Sequence, residues 1–242
     1  MTTRESSRIN PALWLFDFDN TLAALEPEVD WAASRRELEA YLRDQDIGDA
    51  IFREFPKGNL VLYEALRSRF HAGTHPLPSS ISVDTLLMQA SEIIESYELR
   101  GVERAAPLPG AEALLRLLAD TGAVAIVTSN SSRTIARWLE RHRVAGVVRA
   151  VVGRDSMLPL KPAPDSVERA LGLCSTDAAD AVFVGDSEAD FKAGLSAHVA
   201  FLGVAAKAQA RAQLTALGAK TVFESPAALA AFFGLPLDEK IR

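Results

Sequence analysis

Short uninterrupted apolar runs alternate with polar turns over most of this chain, but one long stretch follows a different period. The first run, Ala12-Leu13-Trp14-Leu15-Phe16, lies between Asn10-Pro11 and Asp17-Phe18-Asp19-Asn20. That pattern predicts a buried strand that ends in a polar loop. From Glu26 to Arg100 the apolar positions fall at helical spacing instead. Trp31, Leu38, Tyr41 and Leu42 form one set, Leu60, Tyr63, Leu66 and Phe70 a second, and Leu86, Ile93, Ile94 and Tyr97 a third. Breaks at Pro56-Lys57-Gly58-Asn59 and from Gly73 to Ser80, which holds Pro76 and Pro78, divide this stretch into about four or five helices.

Beyond Pro107-Leu108-Pro109-Gly110 strands and helices alternate. Strands are predicted at Ala123–Val127, Val147–Val152, Ala181–Val184, Val199–Val204 and Thr221–Phe223. Helices are predicted at Ala111–Asp120, Ser132–Arg143, Ser166–Leu171, Phe191–Leu195, Lys207–Leu217 and Pro226–Phe233. Such alternation implies an α/β fold with a parallel sheet covered on both faces. A helical insertion interrupts it just after the first strand.

Composition narrows the function classes. The chain has 242 residues, 48% of them hydrophobic and 24% charged, which suits a globular protein and excludes a largely disordered one. Acidic residues outnumber basic ones, 32 to 26, which disfavours a broad nucleic-acid surface. The single cysteine, Cys174, supplies no disulfide framework, and its apolar neighbours predict a small buried residue. The start, Met1 to Asn10, is polar, and no apolar run approaches a membrane span, so the expectation is a cytoplasmic protein without membrane contact.

Ligands of parallel α/β sheets bind outside the carboxyl ends of the strands. The residues after the apolar runs are therefore the candidates. They are Asp17-Phe18-Asp19-Asn20-Thr21, Thr128-Ser129-Asn130-Ser131-Ser132, Leu160-Lys161-Pro162 and Gly185-Asp186-Ser187-Glu188-Ala189-Asp190. Carboxylates at 17, 19 and 186 are oxygen donors of the kind Mg²⁺ takes. Hydroxyls and one ammonium suit a phosphate.

This order of motifs resembles the haloacid dehalogenase superfamily of phosphohydrolases over nearly the whole chain, from about Leu13 to Phe223. Asp17-Phe18-Asp19-Asn20-Thr21 matches its Asp-x-Asp-x-Thr motif, and Lys161-Pro162 and Gly185-Asp186-Ser187-x-x-Asp190 match its later ones. The resemblance implies a Rossmann-like parallel sheet core at 1–23 and 102–242, and a helical cap of the family's first class at 24–101. It also implies a Mg²⁺-dependent phosphatase of a small phosphorylated metabolite, similar to phosphoglycolate phosphatases, acting as a monomer or homodimer. In that frame Asp17 is the nucleophile that forms an aspartyl-phosphate, and Asp19 is the general acid and base. Lys161 is a charge for the phosphate oxygens. Asp17, the Asp19 carbonyl and Asp186 hold Mg²⁺, and Asp190 orients metal waters or Lys161. Asp190 and Ser187 also fit as helix-capping residues.

The resemblance also implies a phosphate-binding hydroxyl at the end of the second strand, from Thr128 or Ser129. Counting from Thr128 places Ile135, Trp138 and Leu139 where the family's following helix is apolar, which favours Thr128, with the amides of Ser129 and Asn130 as expected added donors. In the cap, Lys57 and Arg53 are the candidates for substrate contact. Two other branches of the family fit less well. The phosphonate-cleaving branch has alanine where this chain has Asp19, and the dehalogenating branch lacks that second aspartate and the metal. A phosphomutase of the β-phosphoglucomutase type uses the same core and cap, and a non-catalytic phosphate-binding protein would have a decayed site. His71 and His75 sit four residues apart but beside Gly73 and Pro76, so no metal role is expected of them, and His142 and His198 read as ordinary positions near element ends.

Overall fold

A computed structural model describes residues 11–74 and 81–235. His75, Pro76 and Pro78 lie outside the described residues. The strands are β1 (Leu13–Phe16), β2 (Ala123–Val127), β3 (Ala150–Val152), β4 (Ala181–Gly185), β5 (Ala200–Val204) and β6 (Val222–Phe223). They form one parallel sheet in the order β3-β2-β1-β4-β5-β6. The chain leaves β1 toward β2 on one side and returns to β4 on the other. The central pair β1 and β4 is thus a topological switch point, where a crevice opens at the strand ends.

Alternating strand residues serve opposite faces. Trp14, Phe16, Val124, Ile126, Val182 and Val184 pack on one face with Leu114, Leu115, Leu118, Ile135, Trp138 and Leu229. These come from helices α5 (Ala111–Ala119), α6 (Ser132–Arg141) and α10 (Pro226–Phe232), numbered after four helices described next. Leu13, Leu15, Ala125, Val127 and Phe183 pack on the other face against Val167, Ala170 and Leu171 of α7 (Asp165–Cys174) and Ala193 of α8 (Glu188–Ser196). Cys174 is buried on that face, and burial raises its thiol pKa. Helix α9 (Ala208–Leu217) covers the β5–β6 edge through Leu214.

The segment between β1 and β2 is helical: α1 (Trp31–Asp44), α2 (Ala50–Glu54), α3 (Asn59–His71) and α4 (Val83–Val102). Leu38, Leu42, Phe52, Leu62, Leu66, Leu86 and Ile94 form its own apolar cluster. One outsider is buried in that cluster: Leu160, the residue before Lys161. Its backbone N–H donates to Glu64 Oε2 on α3 at 3.1 Å. Among the described residues no helix is long and apolar enough to cross a membrane.

Two predicted elements change length for physical reasons. The strand expected at Val147–Val152 is confined to Ala150–Val152, because Ala145–Val147 forms a 3-10 turn and this edge strand pairs with β2 alone. The short helix expected at Phe191–Leu195 begins at Glu188, because Ser187 and Asp190 cap each other's backbone amides. Of the described histidines, His71 ends α3, His142 faces Glu112 at 2.7 Å, and His198 turns the chain into β5 with a left-handed backbone.

Candidate active site

Sheet register brings the strand-end residues together. The Asp17 N–H donates to Val184 O at 2.8 Å, which locks the loop after β1 to β4, and Asp186 follows two residues on. Lys161 arrives from the loop before α7 and is joined to Pro162 by a cis peptide bond. Its ammonium donates to Asp17 Oδ1 and Asp190 Oδ1 at 2.5 Å each, and to the Val127 carbonyl at the end of β2 at 3.1 Å. Its side chain is 4% exposed. Thr21 Oγ1 donates to the second Asp17 oxygen at 3.3 Å.

Gly185 makes the Lys161–Asp190 contact possible. A Cβ there would lie 2.5 Å from Asp190 Cβ, so only glycine lets the first turn of α8 fold back over β4. Asp190 consequently does two jobs: Oδ2 accepts from the Ser187 amide and hydroxyl, and Oδ1 accepts from Lys161.

The charge at this edge is unbalanced. One carboxylate oxygen from each of Asp17, Asp186 and Asp190 lies within 4.8 Å of the others. Lys161 is the ammonium among them. Burial works against the Lys161 charge, but Asp17 and Asp190 outweigh it and hold its pKa above the usual lysine range. Burial pushes Asp17 up to about 7 against the pull of Lys161. Burial, and then the negative charges of Asp17 and Asp190, push Asp186 up to about 8. A surplus of hard oxygen donors at one point is what a divalent cation fits, and the cluster is compatible with one. Burial also raises Asp19 to about 6, although the Glu26 and Leu25 amides donate to its Oδ1 at 3.0 and 2.9 Å.

Thr128 and Ser129 directly follow the carbonyl that receives Lys161. Thr128 is buried and Ser129 half-buried. The Asn130 amide, expected to be a free donor, donates to Thr128 Oγ1 at 3.1 Å, and its side chain donates to Glu98 on α4 at 3.0 Å.

Across from the strand ends, Asp19 and Lys57 line one cleft of about 610 Å³, together with Glu26, Trp31 and Arg35. Arg53 is exposed and is not among the residues lining it. Arg35 was not legible as a candidate. It donates to the Phe55 carbonyl at 2.5 Å and the Gly58 carbonyl at 3.4 Å, so it braces the loop that carries Lys57. Its tie to Glu39 at helical spacing reads in sequence as an ordinary surface pair.

A family profile for haloacid dehalogenase-like hydrolases matches residues 14–204. A phosphoglycolate phosphatase of Pseudomonas fluorescens is 29% identical over 194 residues, 78% of this chain and 67% of that protein. A phosphoglycolate phosphatase of Rhodospirillum rubrum is 28% identical over 93% of this chain and 92% of its own length. Among solved structures, CbbY of Rhodobacter sphaeroides in complex with xylulose-(1,5)-bisphosphate superposes with a TM-score of 0.61 at 20% identity, over 94% of this chain and all of that one.

Proposed function

The chain belongs to the haloacid dehalogenase-like hydrolases, and from that premise we propose that it is a Mg²⁺-dependent phosphatase of a small phosphorylated metabolite, with 2-phosphoglycolate the first substrate to try. The observation that carries the reading is the bridge from Lys161 to Asp17 and Asp190 at 2.5 Å each, beside Asp186. It supports a nucleophilic carboxylate paired with a cation in a buried place, with charge at hand for phosphate oxygens. We take the core as 1–23 and 102–242 and the cap as 24–101.

Asp17 attacks phosphorus, and the bond to the leaving oxygen breaks as that oxygen takes a proton from Asp19. A carboxyl raised toward neutrality suits this task. Asp19, now ionised, takes a proton from a water that attacks the same phosphorus. The bond to Asp17 breaks, which frees inorganic phosphate and restores both carboxyl groups. Thr128 and Lys161 hold the phosphate oxygens meanwhile, with Ser129 the alternative hydroxyl. Asp17, Asp186 and the Asp19 carbonyl would hold Mg²⁺, with Asp190 behind them; when bound, the ion offsets negative charge on the phosphate and on Asp17. Lys57, on the far wall of the Asp19 cleft, meets the rest of the substrate.

A panel of 2-phosphoglycolate, sugar phosphates and nucleotides assayed with Mg²⁺ tests this. At least one should release phosphate far faster than the Asp17→Asn variant allows. Equal, background release on every compound would overturn the reading.

A further inference from the structure

Glu98 and Arg154 form an ion pair with both side chains 0% exposed, and neither belongs to the chemistry above. Arg154 follows β3, while Glu98 sits on α4 of the helical insertion. The guanidinium donates to Glu98 at 2.8 and 3.2 Å, to the Ser91 hydroxyl and carbonyl at 3.0 and 3.2 Å, and to the Ser129 carbonyl at 2.9 Å. Glu98 in turn accepts from Asn130 Nδ2 at 3.0 Å and the Ser131 amide at 3.1 Å. A buried pair of this kind contributes little net stability compared with apolar side chains, so its value lies in what it orients.

A carboxylate only accepts hydrogen bonds, so Asn130 must turn its NH₂ to Glu98 and its oxygen toward Thr128. Thr128 Oγ1 lies 3.1 Å from that oxygen and also 3.1 Å from the Asn130 amide nitrogen, which donates to it. The order is therefore Arg154, Glu98, Asn130, Thr128. Gly153 lets this loop close, since a Cβ there would lie 2.5 Å from the Ser132 nitrogen.

We propose that Glu98, held by Arg154, is a positioning residue by which helix α4 sets the phosphate-binding hydroxyl at 128. The proposal rests on reading the loop from Thr128 to Asn130 as the phosphate holder. When phosphate binds, the Thr128 hydrogen turns from Asn130 to a phosphate oxygen, while the Asn130 amide keeps the hydroxyl oxygen in place.

The test compares KM, kcat and competitive inhibition by inorganic phosphate, with Mg²⁺ present, in Glu98→Gln, Asn130→Ala, their combination and Thr128→Val. Glu98→Gln is expected to raise KM and the phosphate inhibition constant about tenfold, the worth of one misplaced buried hydrogen bond, and to lower kcat much less. The combination should be no worse than the poorer single variant, because both act along one path. If Glu98→Gln does not fold, Glu98→Met with Arg154→Met removes both charges together and is read the same way. A folded Glu98 variant with unchanged KM and phosphate inhibition, and only a lower melting temperature, overturns the positioning role. No effect in Thr128→Val overturns the phosphate-loop reading itself, and with it this proposal.

Discussion

The acidic cluster at the sheet edge and the helical wall that faces Asp19 are built by different means. On the sheet side, Asp17 and Asp186 follow β1 and β4, whose register is set by backbone pairing with each other and with β2, and Lys161 and Asp190 join them from the loop before α7 and from the first turn of α8. The Lys161 ammonium ties Asp17 to Asp190 at short distance. On the helical side, Lys57 rides on an exposed turn between α2 and α3, braced by Arg35 against the Phe55 and Gly58 carbonyls. The sheet side carries buried charge, and on the helical side Lys57 is exposed to solvent. That difference suits one wall to the invariable part of a phosphate ester and the other to the part that varies.

The sharpest break in the comparison should come at Asp17. Asp17→Asn keeps the shape but removes the proposed nucleophile, and turnover should fall roughly 10³-fold or more. A loss below tenfold would end the aspartyl-phosphate reading. Next comes Lys161→Met, which leaves Asp17 and Asp190 buried without their cation. Turnover should fall roughly 10²-fold, and stability should drop by about 3–5 kcal/mol. Denaturant titration measures the second figure.

The acidic cluster gives a smaller effect with a definite sign. Folded carboxyl pKa values raised to about 7 at Asp17 and about 8 at Asp186 mean that the folded state binds more protons than the unfolded one above the ordinary aspartate range. Their contribution is intact below about pH 4 and is lost as pH rises through about 7 to 8. In EDTA the melting temperature should therefore gain from Asp186→Asn at pH 8, on the order of a few degrees, and much less at pH 5. Added Mg²⁺ should stabilise the unaltered chain more at pH 8 than at pH 5. A metal response of equal size at both values would refute the link between charge surplus and cation.

The smallest effect lies on the helical wall. Lys57→Ala should raise KM about three- to tenfold with kcat nearly unchanged, as expected for an exposed charge that meets substrate. Arg53→Ala should do nothing measurable. Equal kinetics for the two variants would remove Lys57 from the site.

Much of the sheet wall was legible because a run such as Ala123–Val127 can only be a buried strand, and the residue after it must then stand at the edge. The four motifs follow that logic. The family match supports the same fold. What escaped has no local period. Glu98 and Arg154 are 56 positions apart, and each reads alone as a solvated charge on a helix or loop. Arg35 braces a turn 20 residues away through backbone carbonyls, which leave no trace in sequence. Asp190 was legible both as a cap and as a partner of Lys161, and it is both. The expected strand began too early because Val147 and Val148 read alike in a strand and at the end of a 3-10 turn.

Leu160 gives the helical segment a point of attachment beyond its two chain crossings and the Glu98–Arg154 pair. The chain crosses between core and helices twice, near residues 24 and 101, but Leu160 is buried among the helices and its amide is held by Glu64. An exchange of helical segments between relatives, cut at the two crossings alone, would carry away the socket that Leu160 fills. It would strand an apolar side chain in water one residue from Lys161. Any graft onto this core therefore has to bring a matching socket and an acceptor for the Leu160 amide, or Lys161 loses its footing however well the new segment folds.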